Sequence, residues 1–479
     1  MNTFPAPQAV FAEFTALARI PHGSGNTAEI SRYCVDFAKQ LGLPVKADAA
    51  GNVVIRKPAS KGMEHRPTVI LQGHLDMVCA KEDSCTKDME KDALSLHFDD
   101  TFLSADGTTL GGDDGIAVAY ALALLKAQNI PHPPLTVLLT VDEEIGMLGA
   151  AALSADALQG DYLLNLDSEE EGILTVGCAG GVRVMLEIPV DSSVSCGTEI
   201  KLRLSGLVGG HSGMEIHRPH LNAIVTMKKL LNVNAPIRLC KFDGGIRDNV
   251  IPTSADAAFL CEPAEAEKIV SEIQQAFQKI KSEIPSESAC QLEISIREHQ
   301  ESSALSVTDS RKLLRFLNEL PNGVIRTNYH ENGESSPITS LNLGVLHLDD
   351  SALTADFLVR SGINAEKNEL AEKLHQIALD FGGRFSDSGD YPAWEYAPQT
   401  ELEQVAVESC RRILGHEPLV QTIHAGLECG VLLAKSTNLQ CISFGPDILD
   451  IHTPRERLSL ASTERTWRLL LDILQNLGA

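Results

Sequence analysis

The chain has 479 residues, 43% of them apolar, with 40 basic and 65 acidic side chains and a formal net charge of −25. That length exceeds what one hydrophobic core serves, so two domains are expected, and the apolar share excludes a disordered chain. The negative charge sets nucleic acid and anionic membrane surfaces aside as partners and leaves carboxylates to spare for cations.

The longest apolar stretches, such as 116–125, fall well short of the ~20 residues a membrane span requires. The start, Met1-Asn2-Thr3-Phe4-Pro5-Ala6, has no basic cluster followed by an apolar core, so no export signal is read. Eleven cysteines without a C-x-x-C pair read as reduced thiols in a cytoplasmic protein, most of them small core residues.

In chain order, residues 7–41 read as helical with a break at Ile20-Pro21-His22-Gly23-Ser24-Gly25, and Asn52-Val53-Val54-Ile55 as a strand. Val69-Ile70-Leu71 has the composition of a buried strand and runs through Gly73 into His74 and Asp76. In extended backbone these two residues share one side, where a carboxylate can aim a metal-ligating imidazole; alone, the pair reads equally well as a solvated strand end. Residues 79–106 are polar and read as irregular surface.

Thr108-Thr109-Leu110-Gly111-Gly112-Asp113-Asp114-Gly115 leads into an Ala/Leu-rich helix. Taken alone, Asp113 or Asp114 is a helix cap. Leu135 to Val141 is another buried strand, followed at once by Asp142-Glu143-Glu144, and Tyr162 to Leu166 ends in Asp167. Apolar strands separated by helices predict a mostly parallel α/β sheet, whose ligands bind beyond the carboxyl ends of the strands. His74, Asp76, Glu143, Glu144 and Asp167 belong at that edge, near Asp113.

After about residue 187 the pattern turns to period-two strands (198–205, 292–296, 341–345) and amphipathic helices over 264–284 and 365–381. The region 188–397 reads as an α+β domain, as one unit or as two related ones. It is inserted into a catalytic domain made of 1–187 and 398–479. The last part returns to helix, the strand Gln440 to Phe444, and helix, with His452 shortly after Gly445-Pro446.

Two imidazoles and three carboxylates form a ligand set of hard oxygens and borderline nitrogens that suits Zn²⁺, Mn²⁺ or Co²⁺. Two ions can share it if Asp113 bridges them, with His74 and Asp167 on one and Glu144 and His452 on the other. Glu143, outside that set, is placed to take a proton from an activated water.

The segments Gly73-His74-Leu75-Asp76-Met77-Val78, Gly111-Gly112-Asp113-Asp114-Gly115, Asp142-Glu143-Glu144-Ile145-Gly146, Asn165-Leu166-Asp167-Ser168-Glu169 and Cys178-Ala179-Gly180-Gly181 resemble a known family. So do Gly209-Gly210-His211-Ser212-Gly213, Pro321-Asn322-Gly323-Val324-Ile325-Arg326 and Ile423-His424-Ala425-Gly426-Leu427-Glu428-Cys429-Gly430. It is the aminoacyl-histidine (Xaa-His, cytosol non-specific) dipeptidase family of the di-zinc aminoacylase/carboxypeptidase superfamily, and the likeness covers almost the whole chain. It implies hydrolysis of unblocked dipeptides, Xaa-His dipeptides such as carnosine included, at two zinc ions, with Co²⁺ or Mn²⁺ as substitutes.

The resemblance implies His74, Asp113, Glu144, Asp167 and His452 as ligands, Asp76 as the carboxylate orienting His74, and Glu143 as general base. It makes the inserted region a lid and dimerisation domain of a homodimer. His211 would reach the partner's site to stabilise the oxyanion, and Asn249 and Arg360 would hold the substrate carboxylate. His22, His217, His424 and Glu428 are read as supporting residues. Asp114 stands where the family suggests Asn, and Cys79 where it suggests Pro.

Three other readings are weighed. An N-acyl amino acid deacylase or a carboxypeptidase would use the same metal chemistry. A non-catalytic binding or scaffold protein would be expected to have lost a ligand or the base, and none is missing. Nucleotide binding needs a glycine fingerprint after the first strand, which is absent.

Overall fold

The computed structural model describes residues 4–329, 335–436 and 438–479. The chain forms two compact units. The first comprises the residues up to Cys178 with Trp394–Ile423 and Leu427–Ala479, the second Ala179–Ala393 with His424–Gly426.

The first unit is built on an eight-stranded sheet in the order Val45–Ala47, Val53–Lys57, Leu135–Thr140, Val69–His74, Tyr162–Asn165, Gln440–Ser443, Ile173–Cys178, Leu419–Ile423. Its centre is parallel: Val69–His74 pairs with Leu135–Thr140 and Tyr162–Asn165, and Tyr162–Asn165 with Gln440–Ser443. The first three of these strands are buried along their whole length, as near-continuous apolar runs covered on both faces must be. Because the four run in one direction, His74, Thr140, Asn165 and Ser443 end at the same edge. The helix Gly112–Lys126 is buried nearly all round and packs against the His74 strand and the helix Gln8–Leu17. Its Ala-rich surface lets backbones approach closely.

One expectation fails here. Residues 79–106 are not wholly irregular: Leu96–Phe98 and Phe102–Ala105 are strands of a four-stranded sheet completed by Arg457–Ser459 and Ile448–Leu449. Leu103 is fully buried in it. Phe102–Ala105 pairs with the neighbouring Leu96–Phe98 on one side, but with Arg457–Ser459, more than three hundred residues away, on the other, which is why local polarity misleads.

The second unit is an antiparallel nine-stranded sheet. Its main path runs Gln291–Leu305, Ser192–Ser205, Ala255–Cys261, Arg238–Gly244, Ser335–Leu348, Ala352–Ser361, Gly180–Pro189, Arg384–Tyr391, and Gly323–Tyr329 pairs with Ser335–Leu348. These strands form one continuous sheet. The helices Ala223–Leu230, Ala266–Glu283, Val307–Glu319 and Asn364–Asp380 contribute to its core. The unit begins at Ala179 and not 188, because Gly180–Pro189 is an interior strand between Ala352–Ser361 and Arg384–Tyr391. It ends at Ala393 and not 397.

All eleven cysteines are free and most are buried. Among the described residues no helix is long and apolar enough to cross a membrane.

Candidate metal centre

The carboxyl edge of the parallel strands gathers the polar residues of the first unit. His74 closes its own strand, 1% exposed. Its Nε2 lies 3.1 Å from Asp113 Oδ1 and 3.6 Å from Asp167 Oδ1. His452 Nε2 lies 3.1 Å from Asp113 Oδ2 and 2.8 Å from Glu144 Oε1. Asp113 therefore stands between two imidazoles, one at each oxygen, and each imidazole has a further carboxylate of its own.

Asp113 reaches this position at the start of the Gly112–Lys126 helix, in a loop gripped from behind. Glu456 Oε2 accepts the backbone N–H groups of Leu110 (2.8 Å) and Gly111 (3.0 Å), and its Oε1 those of Gly112 (2.7 Å) and Asp113 (3.3 Å). Four donors at a helix start would otherwise be orphaned. Glu456 thus ties the His452 loop to the Asp113 loop. The sequence reading missed it, since no local pattern pairs positions 343 residues apart.

Asp76 is 1% exposed and does more than face its neighbour's ring. His74 Nδ1 hydrogen-bonds the backbone oxygen of Asp76 at 2.9 Å and lies 3.5 Å from its carboxylate. That carboxylate accepts Ser24 Oγ (2.8 Å) and the backbone N–H groups of Glu143 (3.0 Å) and Glu144 (3.3 Å). Two turns of this cluster are also held in left-handed backbone, with φ 54° at Asp142 and 59° at His452. Non-glycine residues adopt that conformation where the surroundings impose it.

Asp114 is buried and its Oδ2 accepts the backbone N–H of His74 at 3.0 Å. A Cβ at Gly73 would lie 2.5 Å from that oxygen, so only glycine admits the contact. Beneath the edge, Glu428 is fully buried. Its Oε2 accepts Gln72 Nε2 and Thr140 Oγ1, both at 2.6 Å, and burial pushes its carboxyl up to about 7.

The electrostatics are those of a site for positive charge. Burial disfavours a charged His74, yet Asp167, Asp113 and Asp76 raise it well above the ordinary imidazole value. Hydrogen bonds to Asp113 and Glu144 push His452 up to about 10. Burial pushes the Asp114, Asp167 and Glu143 carboxyls upward. Among the described residues, no Lys or Arg pairs with any of these carboxylates. One ligand atom each from His74, Asp113 and Glu144 lie within 4.8 Å of one another, as do those of His74, Asp114 and Asp167. Clustered carboxylates without a basic partner, flanked by imidazoles, fit divalent ions.

The other predicted residues lie together in the second unit. His211 Nδ1 accepts the backbone N–H groups of Gly213 (3.3 Å) and Met214 (3.1 Å). Ser212 N donates to Asn249 O at 3.0 Å, which joins the His211 and Asn249 loops. Arg360 is 6% exposed, and a Cβ at Gly213 would lie 3.2 Å from its Nε and 3.1 Å from His211 Cε1. His424 is buried beside them, with Nε2 2.7 Å from Ser340 Oγ.

Residues 70–476 match the peptidase family M20/M25/M40. The chain belongs to that family. As an M20/M25/M40 member it is a metallopeptidase, a hydrolase of peptide bonds. It is 36% identical to the cytosol non-specific dipeptidase of Escherichia coli strain K12, over 99% of this chain and 98% of the relative. It matches the structure of an aminoacylhistidine dipeptidase from Vibrio alginolyticus with a TM-score of 0.90 and 33% identity, over 99% of this chain and 98% of that one. An aminopeptidase PepT from Bacillus cereus shares the fold alone, at a TM-score of 0.51 and 16% identity, over 99% of this chain and all of that one.

Proposed function

We propose that this M20/M25/M40 protein is a cytoplasmic, homodimeric dipeptidase that hydrolyses unblocked dipeptides, Xaa-His dipeptides such as carnosine among them. Full-length likeness to a non-specific dipeptidase and to an aminoacylhistidine dipeptidase supports the substrate class. The observation that carries the reading is Asp113 between His74 and His452, 3.1 Å from each.

His74 and Asp167 would hold one ion, Glu144 and His452 a second, and Asp113 would bridge them. Zinc is the first choice, with Co²⁺ or Mn²⁺ as substitutes. Ions there would supply Lewis acidity, activating a water molecule and polarising the scissile carbonyl. Glu143 takes the proton from the attacking water and delivers it to the leaving amine. Asp76 fixes the Glu143 backbone and, with it, the reach of that carboxylate. His211 donates to the developing oxyanion, while Asn249 and Arg360 grip the substrate carboxylate. In the homodimer these three would serve the partner subunit's metal centre.

The test is metal analysis of the purified protein together with a substrate panel. Turnover of free dipeptides, with N-acetylated dipeptides inert, agrees with the proposal. Turnover of N-acylated amino acids alone would make the protein a deacylase instead.

A further inference from the structure

Arg360 lies in the second unit without a carboxylate partner among the described residues, although it is only 6% exposed. Its Nη1 donates to Tyr391 Oη at 2.8 Å, while its Nε has no hydrogen-bond partner. One edge of the guanidinium is therefore fixed and another is buried and unpaired. In a chain of net charge −25, such a group is a standing site for an anion.

Tyr391 is itself held from three sides. A Cβ at Gly181 would lie 2.5 Å from its hydroxyl oxygen, and one at Gly426 would lie 2.8 Å from its Cε2, so the ring lies against two backbones stripped of side chains. Lys367, 3% exposed, donates from Nζ to Tyr391 O at 2.8 Å and pairs with Asp390. Lys367 holds the Tyr391 backbone, the two glycines flank its ring, and its hydroxyl accepts from Arg360.

We propose that Tyr391 is a positioning residue that sets the substrate specificity of this site for a free carboxyl terminus. It orients the Arg360 guanidinium so that its unpaired edge meets the substrate carboxylate. The proposal rests on the reading that Arg360 grips that carboxylate. Truncating the phenol leaves the arginine in place but frees it to rotate, which weakens a bidentate grip without touching the chemistry at the metal centre.

The experiment compares alanyl-histidine with its carboxyl-terminal amide, using Tyr391→Phe, Arg360→Ala and the double variant. Tyr391→Phe is expected to raise KM for the free acid about tenfold, the size of one lost hydrogen bond to a charged group. Its kcat for both substrates and its KM for the amide should stay within about twofold, the spread of a neutral change. Arg360→Ala should erase the preference for acid over amide, and Tyr391→Phe should add nothing on top of it. If Arg360→Ala erases the preference while Tyr391→Phe leaves KM alone or shifts acid and amide equally, the role of Tyr391 is overturned and the reading of Arg360 stands. If Arg360→Ala leaves the preference intact, the reading of Arg360 fails, and the proposal with it.

Discussion

The Asp76 carboxylate accepts the backbone N–H of Glu143 at 3.0 Å. It is one residue removed from His74 in the same strand end, so a single carboxylate positions an imidazole and the turn that carries the proposed base. Asp76→Ala is therefore expected to act twice. The affinity for metal should fall about 10- to 100-fold, as for other residues that orient ligands. The rate should fall even when metal is saturating, because the Glu143 turn loses its anchor. Calorimetric metal titration and kcat at excess metal separate the two effects. A variant restored to full rate by metal alone would confine Asp76 to the His74 ring.

Glu143→Gln should keep its metal and lose roughly 10²- to 10⁴-fold in kcat, since the amide has the same shape and cannot take a proton. Co-expressed with His211→Ala, it should regain part of the activity, because a mixed dimer holds one intact composite site. Mixed dimers without any regained activity would place His211 in its own subunit's chemistry or outside it.

Glu456 makes a different prediction, about stability. Its carboxylate receives four backbone N–H groups while 2% exposed. Removing it leaves buried donors unpaired, at about 1–3 kcal/mol each where no water replaces the partner. Glu456→Ala should lower the unfolding free energy by about 3 kcal/mol or more and weaken metal binding through Asp113. Urea unfolding of metal-free protein is the check, and a loss under about 1 kcal/mol, the range of an ordinary surface change, would deny the clamp.

What could be read from the sequence followed from locality. His74, Glu144 and Asp167 each end or follow a short apolar strand, and parallel strands carry such ends to one edge. The set of titratable groups at the carboxyl edge of the sheet was legible for that reason. Glu456 was not, because its four donors lie in a loop some 340 positions earlier and nothing in the HTPRE stretch announces them. The strand Phe102–Ala105 escaped in part for the same cause, since beyond its local neighbour Leu96–Phe98 it pairs with the distant Arg457–Ser459. Tyr391 escaped too, since its meaning lies in two distant glycines and an arginine.

His424 sets an acid limit on stability. Burial and the nearby Arg360 charge lower its imidazole from 6.5 to about 3 in the folded protein. Between those values the unfolded chain binds a proton that the native state refuses, so unfolding becomes easier as pH falls below 6.5. The loss from this group is about 1.4 kcal/mol per pH unit once well below 6.5. Urea unfolding at pH 7 and pH 5 should show a steep drop in the native protein and a shallower one in His424→Gln. Parallel slopes for the two proteins would contradict the assignment.

The central claim is that Asp113 lies between two metal ions. Crystals grown with zinc and measured at the zinc absorption edge address it without recourse to activity. The account predicts two anomalous peaks, one beside His74 and Asp167 and one beside His452 and Glu144, with an Asp113 oxygen on each. A single peak, or two peaks with Asp113 bound to neither, would contradict it.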